Sequence, residues 1–246
     1  MGFTKSKWRN NQLAFYDGTT FETVRPVAPF YWKDDFFVDA QIKAAGLPGW
    51  TLKDSGAATE VQVADLSCGV FSLNLAANVE KEYAGITFGD QLVLDLDKGP
   101  IVEFRVAVHT TPTDQAELYF GVINDWVEGP YAEAVAGATV HSLFHFDGAL
   151  LCEIHTDDTV NETAVGGVTT GITVGEDVFH VYRIDFTNAA DVKFYIDGVA
   201  VATSSTFNMS QGTNVMVQPI VEAHKEAGNG VGSLYVDYVK LWQATR

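Results

Sequence analysis

The stretch "CEIHTDD" sets a carboxylate, an imidazole and a second carboxylate at alternate positions, Glu153, His155 and Asp157. Alternate residues of a strand share one face, so these three have the types and spacing of a general acid/base row. Just upstream, "TVHSLFHF" carries His141 and His145, again at an even separation. A two-residue turn at Asp147-Gly148 would set His141 opposite Ile154, His145 opposite Leu150 and Glu153 opposite Ser142. That register sends the two histidines to one face and Glu153 with His155 to the other. A turn one residue longer would bring His141 beside His155 and build a metal or catalytic cluster. The two-residue turn is the expected form, and the Glu153 row then reads as a solvated strand end running into the polar loop "TDDTVNETAVGG". Further upstream, "QAELYFGVIND" offers Glu117 alone, followed by Leu118, Tyr119, Phe120 and Gly121.

These residues need strands to hold them, and the pattern is of strands throughout. "IVEFRVAVH" puts Val102, Phe104, Val106 and Val108 on one face and Glu103, Arg105 and His109 on the other, as in a half-buried strand. "VKFYIDG" opposes Val192, Phe194 and Ile196 to Lys193, Tyr195 and Asp197. Asp-Gly pairs in "FDGA" and "IDGV" are hairpin signals. No stretch has a sustained helical period. About a dozen short strands without long helices imply an antiparallel β-sandwich in one domain. Residues 1–32 are different: "KWRNNQLAFYDGTTFETVRPVAPFYW" mixes aromatics, amides and prolines, and reads as an extended N-terminal arm with a hairpin at Asp17-Gly18. The sandwich is expected over 33–246.

The formal net charge is −17. That excludes nucleic acid and anionic membrane surfaces as partners, because both need basic patches. Lys5, Lys7 and Arg9 stand without an acid in residues 1–16, so this end carries +3 and the remainder −20. A basic arm on an acidic body suits an acidic partner or a neighbouring copy; an untethered terminus with incidental charge is the alternative. With Trp8, these are the expected partner contacts. Cys68 and Cys152 lie in apolar runs and read as buried thiols, with one disulfide as the alternative. No zinc-type Cys/His spacing, apolar signal core or spanning apolar run is present, so neither secretion nor membrane insertion is expected.

Three segments in order, "FHVYRIDF", "VKFYIDGVAV" and "LYVDYVKLWQ", together with "YWKDDFFVDA" near the start, resemble the concanavalin A-like lectin/glucanase superfamily. The likeness is to family-16 glycoside hydrolases and laminin G-like modules. It implies a jelly-roll sandwich. The family-16 enzymes carry Glu-x-Asp-x-x-Glu or a form one residue longer on one strand. A retaining enzyme needs two carboxyls about 5–5.5 Å apart. No Glu-x-Asp occurs in this chain, so the activity is not carried over and no enzyme is expected. The resemblance also implies one structural calcium, matched here by Asp237 and the backbone around Asp35; a capped or solvent-facing Asp237 is the alternative. No other cofactor is expected. Sugar binding would use Trp126 and Tyr131 with Asn124 and Asp125, in the loop "INDWVEGPY"; buried loop anchors have the same signature.

A laminin G-like sandwich behind a basic aromatic arm also resembles virion proteins of tailed bacteriophages. The function expected from this is structural: capsid decoration, or a part of a fibre, in a homo-oligomer touching other virion proteins, assembled in the host cytoplasm. A carbohydrate-binding module is the alternative, and a divergent hydrolase using Glu117 or Glu153 with a carboxylate from another strand is the third reading.

Overall fold

The computed structural model describes residues 4–9, 12–17, 23–26, 30–36, 49–63, 69–127, 140–163, 167–212 and 215–243. Its strands are β1 (Thr4–Arg9), β2 (Gln12–Asp17), β3 (Thr23–Pro26), β4 (Phe30–Asp34), β5 (Thr51–Ser55), β6 (Thr59–Gln62), β7 (Phe71–Asn74), β8 (Glu82–Thr87), β9 (Leu94–Asp95) and β10 (Ile101–Thr110). They continue as β11 (Ala116–Ile123), β12 (His141–Asp147), β13 (Leu151–Asp157), β14 (Val168–Thr173), β15 (His180–Asp185), β16 (Lys193–Ile196), β17 (Val199–Val201), β18 (Met216–Lys225) and β19 (Ser233–Gln243). Among the described residues the helices are two short 3₁₀ turns, and no helix is long and apolar enough to cross a membrane.

Two antiparallel sheets form a sandwich. One has the order β17-β16-β15-β10-β19-β7-β6, with β4 on β19. The other has the order β14-β13-β12-β11-β18-β8-β5, with β9 on β18. Among the described residues, β1, β2 and β3 make a third sheet that shares no ladder with the sandwich. Sandwich pairing begins at Phe30, which lies opposite Gln243.

Alternation explains the core. Val102, Phe104, Val106 and Val108 of β10 are buried, and they meet Phe120, Phe144 and Phe146 from the second sheet. Phe120 and Phe144 both pack edge-on to Tyr182, at 4.8 and 5.0 Å between ring centroids. Each such ring contributes about 1.5–3 kcal/mol by leaving water. β10 departs from the half-buried expectation at Glu103, which is fully buried on the outer side of its sheet. Arg183 donates to its Oε2 from Nε (3.0 Å) and Nη2 (2.6 Å), and the Tyr238 hydroxyl donates to Oε1 at 3.0 Å.

The hairpin at Asp197-Gly198 is as expected. Both residues have positive φ, 50° and 76°, and Ile196 pairs with Val199, the two-residue form whose twist suits the strands. The hairpin at Asp147-Gly148 is not. Gly148–Leu150 separate β12 from β13, and the ladder sets His145 opposite Glu153, Leu143 opposite His155 and His141 opposite Asp157. The physical reason is the core. This register puts Cys152 and Ile154, both fully buried, on the same side as Phe144 and Phe146. The two-residue turn would have turned them to the outside. Cys152 is a free thiol, pushed up by burial, and Cys68 lies outside the described residues.

Candidate functional site

The corrected register brings together residues that the shorter turn had separated. On the second sheet the side chains turned away from the core form rows across the strands. One row runs Lys53, Gly85, Glu222, Tyr119, His145, Glu153, Thr169, from β5 through β8, β18, β11, β12 and β13 to β14. Beside it lie Tyr83, His224, Glu117 and Asp147. On its other side are Ile220, Gly121, Leu143 and His155, and then Gln218, Ile123, His141 and Asp157.

Part of this face excludes water, while Tyr83, Glu117, Glu153 and Trp126 stay half-buried. Tyr119, Glu222, His224 and Gln218 are fully buried, and His141, His145 and His155 are nearly so. Tyr119, Ile123, Leu143 and Ile220 form a small apolar cluster of their own, on which Trp126 and Val127 pack. Trp126 thus folds back from the end of β11 over the face. Its Nε1 donates to Glu222 Oε2 at 2.7 Å, while the Tyr119 hydroxyl donates to Oε1 at 2.5 Å. The ring lies 5.3 Å from that of Tyr83, and Lys53 Nζ stands 4.4 Å from its centroid, a cation–π distance. Gly85 leaves the room: a Cβ there would fall 2.8 Å from Glu222 Oε2.

The imidazole of His145 joins two carboxylates. Its Nε2 is 3.4 Å from Glu117 Oε2, and its Nδ1 is 4.0 Å from Glu153 Oε2. His155 Nε2 is also 4.0 Å from Glu153 Oε2, and the two imidazoles meet edge-on at 4.7 Å. Burial, then the charges of His145 and His141, push His155 down to about 3, so it is neutral at neutral pH. Burial raises the Glu153 carboxyl; His145 opposes this and Asp147 adds to it. The expected solvated strand end is therefore a water-poor, mixed carboxylate–imidazole–phenol surface.

The loop candidates divide. Trp126 is half-buried, reaching the face as described. Asn124 is buried, and its Oδ1 accepts from the Val140 amide at 2.9 Å, which ties the loop base. Asp125 is exposed, and Tyr131 lies outside the described residues. Trp50 is a buried anchor, its Nε1 donating to Asp34 Oδ2 at 2.9 Å. The two proposed calcium residues are apart from this face. Asp237 pairs with Arg105 at the β10–β19 bulge, and Asp35 Oδ2 lies 3.4 Å from Lys33 Nζ. Lys5, Lys7, Trp8 and Arg9 all fall in β1, whose ladder pairs them with Tyr16, Ala14, Leu13 and Gln12. Sequence reasoning missed Glu222, Gln218 and His224. Their signal was the alternation in β18, where Val217, Val221 and Ala223 are core.

No protein-family model matches the chain, and no curated protein matches it. Solved structures do. An endo-β-1,4-glucuronan lyase from Trichoderma reesei matches with a TM-score of 0.59 at 11% identity, covering 88% of this chain and 96% of that one. A glycoside hydrolase family 16 endo-glucanase from Bacteroides ovatus matches at 0.56 and 15% identity, over 85% and 99%. The carbohydrate recognition domain of Emp47p matches at 0.53 and 9% identity, over 83% and 93%. The chain has the concanavalin A-like jelly-roll fold. At these identities the likeness shows the fold alone.

Proposed function

We propose that this concanavalin A-like sandwich binds glycans on the outer face of its second sheet and does not cleave them. The observation that carries the reading is the edge of that face, where the half-buried rings of Trp126 and Tyr83 stand 5.3 Å apart beside Lys53, with the row Glu222, Tyr119, His145 and Glu153 behind them. Sugars are recognised by aromatic faces for their C–H surfaces and by convergent acceptors and donors for their hydroxyls. Carbohydrate-directed proteins among the solved structures of the same fold support a glycan as the ligand. The non-cleaving half rests on chemistry. Both oxygens of Glu222 are already held, by Tyr119 and Trp126, and β11 supplies Glu117 without a second carboxylate two residues on. The test is a polysaccharide panel scored for depletion from solution and for new chain ends. Depletion without new ends is expected, and Trp126→Ala should weaken it about tenfold. No depletion across a broad panel would overturn the binding role, and new chain ends would overturn the non-cleaving half.

A second reading, decoration of a phage particle, is favoured by one observation: β1–β3 form a sheet of their own, outside the sandwich ladders. A separate basic sheet is suited to docking on a neighbouring acidic body. Reversing Lys5, Lys7 and Arg9 to Glu should weaken assembly and leave the sandwich folded. Unfolding of the sandwich in that variant would count against it.

A further inference from the structure

We propose that His145, Glu153 and His155 bind a zinc-class divalent ion, with Glu117 orienting His145. Each of the three offers one ligand atom, and these atoms all lie within 4.8 Å of one another. The contacts of His145 Nδ1 and His155 Nε2 with Glu153 Oε2 are both 4.0 Å. A tetrahedral zinc site with bonds of about 2.0–2.1 Å needs ligand atoms about 3.3 Å apart. The three atoms would draw in from this separation when the ion binds.

The buried ring nitrogens also lack partners. His145 is 3% exposed, and neither of its ring nitrogens has a hydrogen-bond partner; His155 is 5% exposed, and its Nε2 has none. Buried polar atoms are nearly always satisfied, so three orphaned nitrogens beside one carboxylate call for a missing ligand. A cation bound by His145 Nδ1, His155 Nε2 and the Glu153 carboxylate satisfies two of them. The third, His145 Nε2, then carries the proton and points to Glu117 Oε2 at 3.4 Å, itself a buried oxygen without a partner. A carboxylate behind a metal-binding imidazole fixes its tautomer and orientation. Gly167 keeps the space beside His155 clear, since a Cβ there would sit 2.4 Å from Nε2.

The donor set chooses the metal class. Two imidazoles and one carboxylate suit zinc, or cobalt in its place, over magnesium and calcium, which favour all-oxygen shells. Three protein ligands leave a fourth position for water, the pattern of an open zinc site. This inference does not depend on glycan binding, and its readout needs no sugar.

The experiment uses the full chain without an affinity tag, stripped by chelator. Zinc is titrated against a chromophoric competitor, with native mass spectrometry for stoichiometry. One zinc per chain at sub-micromolar affinity is expected, together with a rise in melting temperature. Cobalt(II) should give the visible absorption of a four-coordinate ion. His155→Gln and Glu153→Gln should abolish retention, and Glu117→Gln should weaken it about 10–100-fold. The wild-type stoichiometry and cobalt spectrum hold whether or not a variant folds. Failure of the wild type to retain zinc, or equal retention by folded His155→Gln, overturns the proposal.

Discussion

Glu60 points to the core side of β6, sharing that side with Gln62 opposite Leu73 and Phe71. β6 is the edge strand of its sheet, and an inward-pointing charge there discourages edge-to-edge pairing. The cost shows in its carboxyl, raised to about 7 by burial and then by Asp54, with Oε1 buried and unpartnered. An acid whose folded value is raised contributes stability below its unfolded value, near 4.5, and loses it as pH rises through about 7. Wild-type stability should therefore fall across that window. Glu60→Gln should flatten the fall and raise the melting temperature above neutral pH. Water around this half-buried position screens the effect, leaving about 1 kcal/mol, or about 2–4 °C. Thermal melts of both proteins across the window check this, and parallel curves would show that Glu60 does not titrate there.

At the scale of elements, a buried ion pair pins three connections to the second sheet. Lys225 ends β18 and is fully buried; its Nζ lies 3.3 Å from Glu82 Oε2 and donates to the carbonyls of Ala76, Asn78 and Gly230. Glu82 in turn accepts from the Ala57 amide at 3.0 Å, the Ala76 amide at 2.8 Å and Asn78 Nδ2 at 2.6 Å. Lys225→Met leaves that carboxylate buried without its cation, which costs about 3–5 kcal/mol. Denaturant unfolding should show it, with Glu82→Gln costing a similar amount and the double variant less than the sum. A Lys225→Met protein as stable as wild type would deny the pair this role. Legibility in the sequence also divides at this scale. β10, β11 and β16 were readable because one face is apolar at every second residue. β14 was not, because "VTTGIT" is an edge strand with little buried side chain. The site was hidden for a different reason. Glu222 meets Tyr119 across more than a hundred residues of chain, and the His145–Glu153 contact hinges on the length of one turn. Local pattern carries the periodicity of each strand; the register comes from which residues the opposite sheet can bury.

For the whole molecule, charge is the governing quantity. The chain carries −17, with +3 gathered in residues 1–16 and −20 in the rest. Those first residues hold β1 and most of β2, in a sheet whose ladders, among the described residues, join only its own three strands. A positive sheet beside a strongly negative body is drawn either to its own sandwich or to that of a neighbour, and salt separates both from apolar association. Attraction between surface charges falls off beyond a Debye length of about 8 Å at physiological ionic strength. If the arm joins copies, sedimentation velocity should show assembly at low salt and dissociation at high salt. The triple charge reversal at Lys5, Lys7 and Arg9 should then stay dissociated at both, with an unchanged melting temperature for the sandwich. An assembly that survives high salt, or persists in the triple variant, would assign the contact to apolar surface instead. A wild type that is monomeric at low salt would remove the arm from assembly between copies.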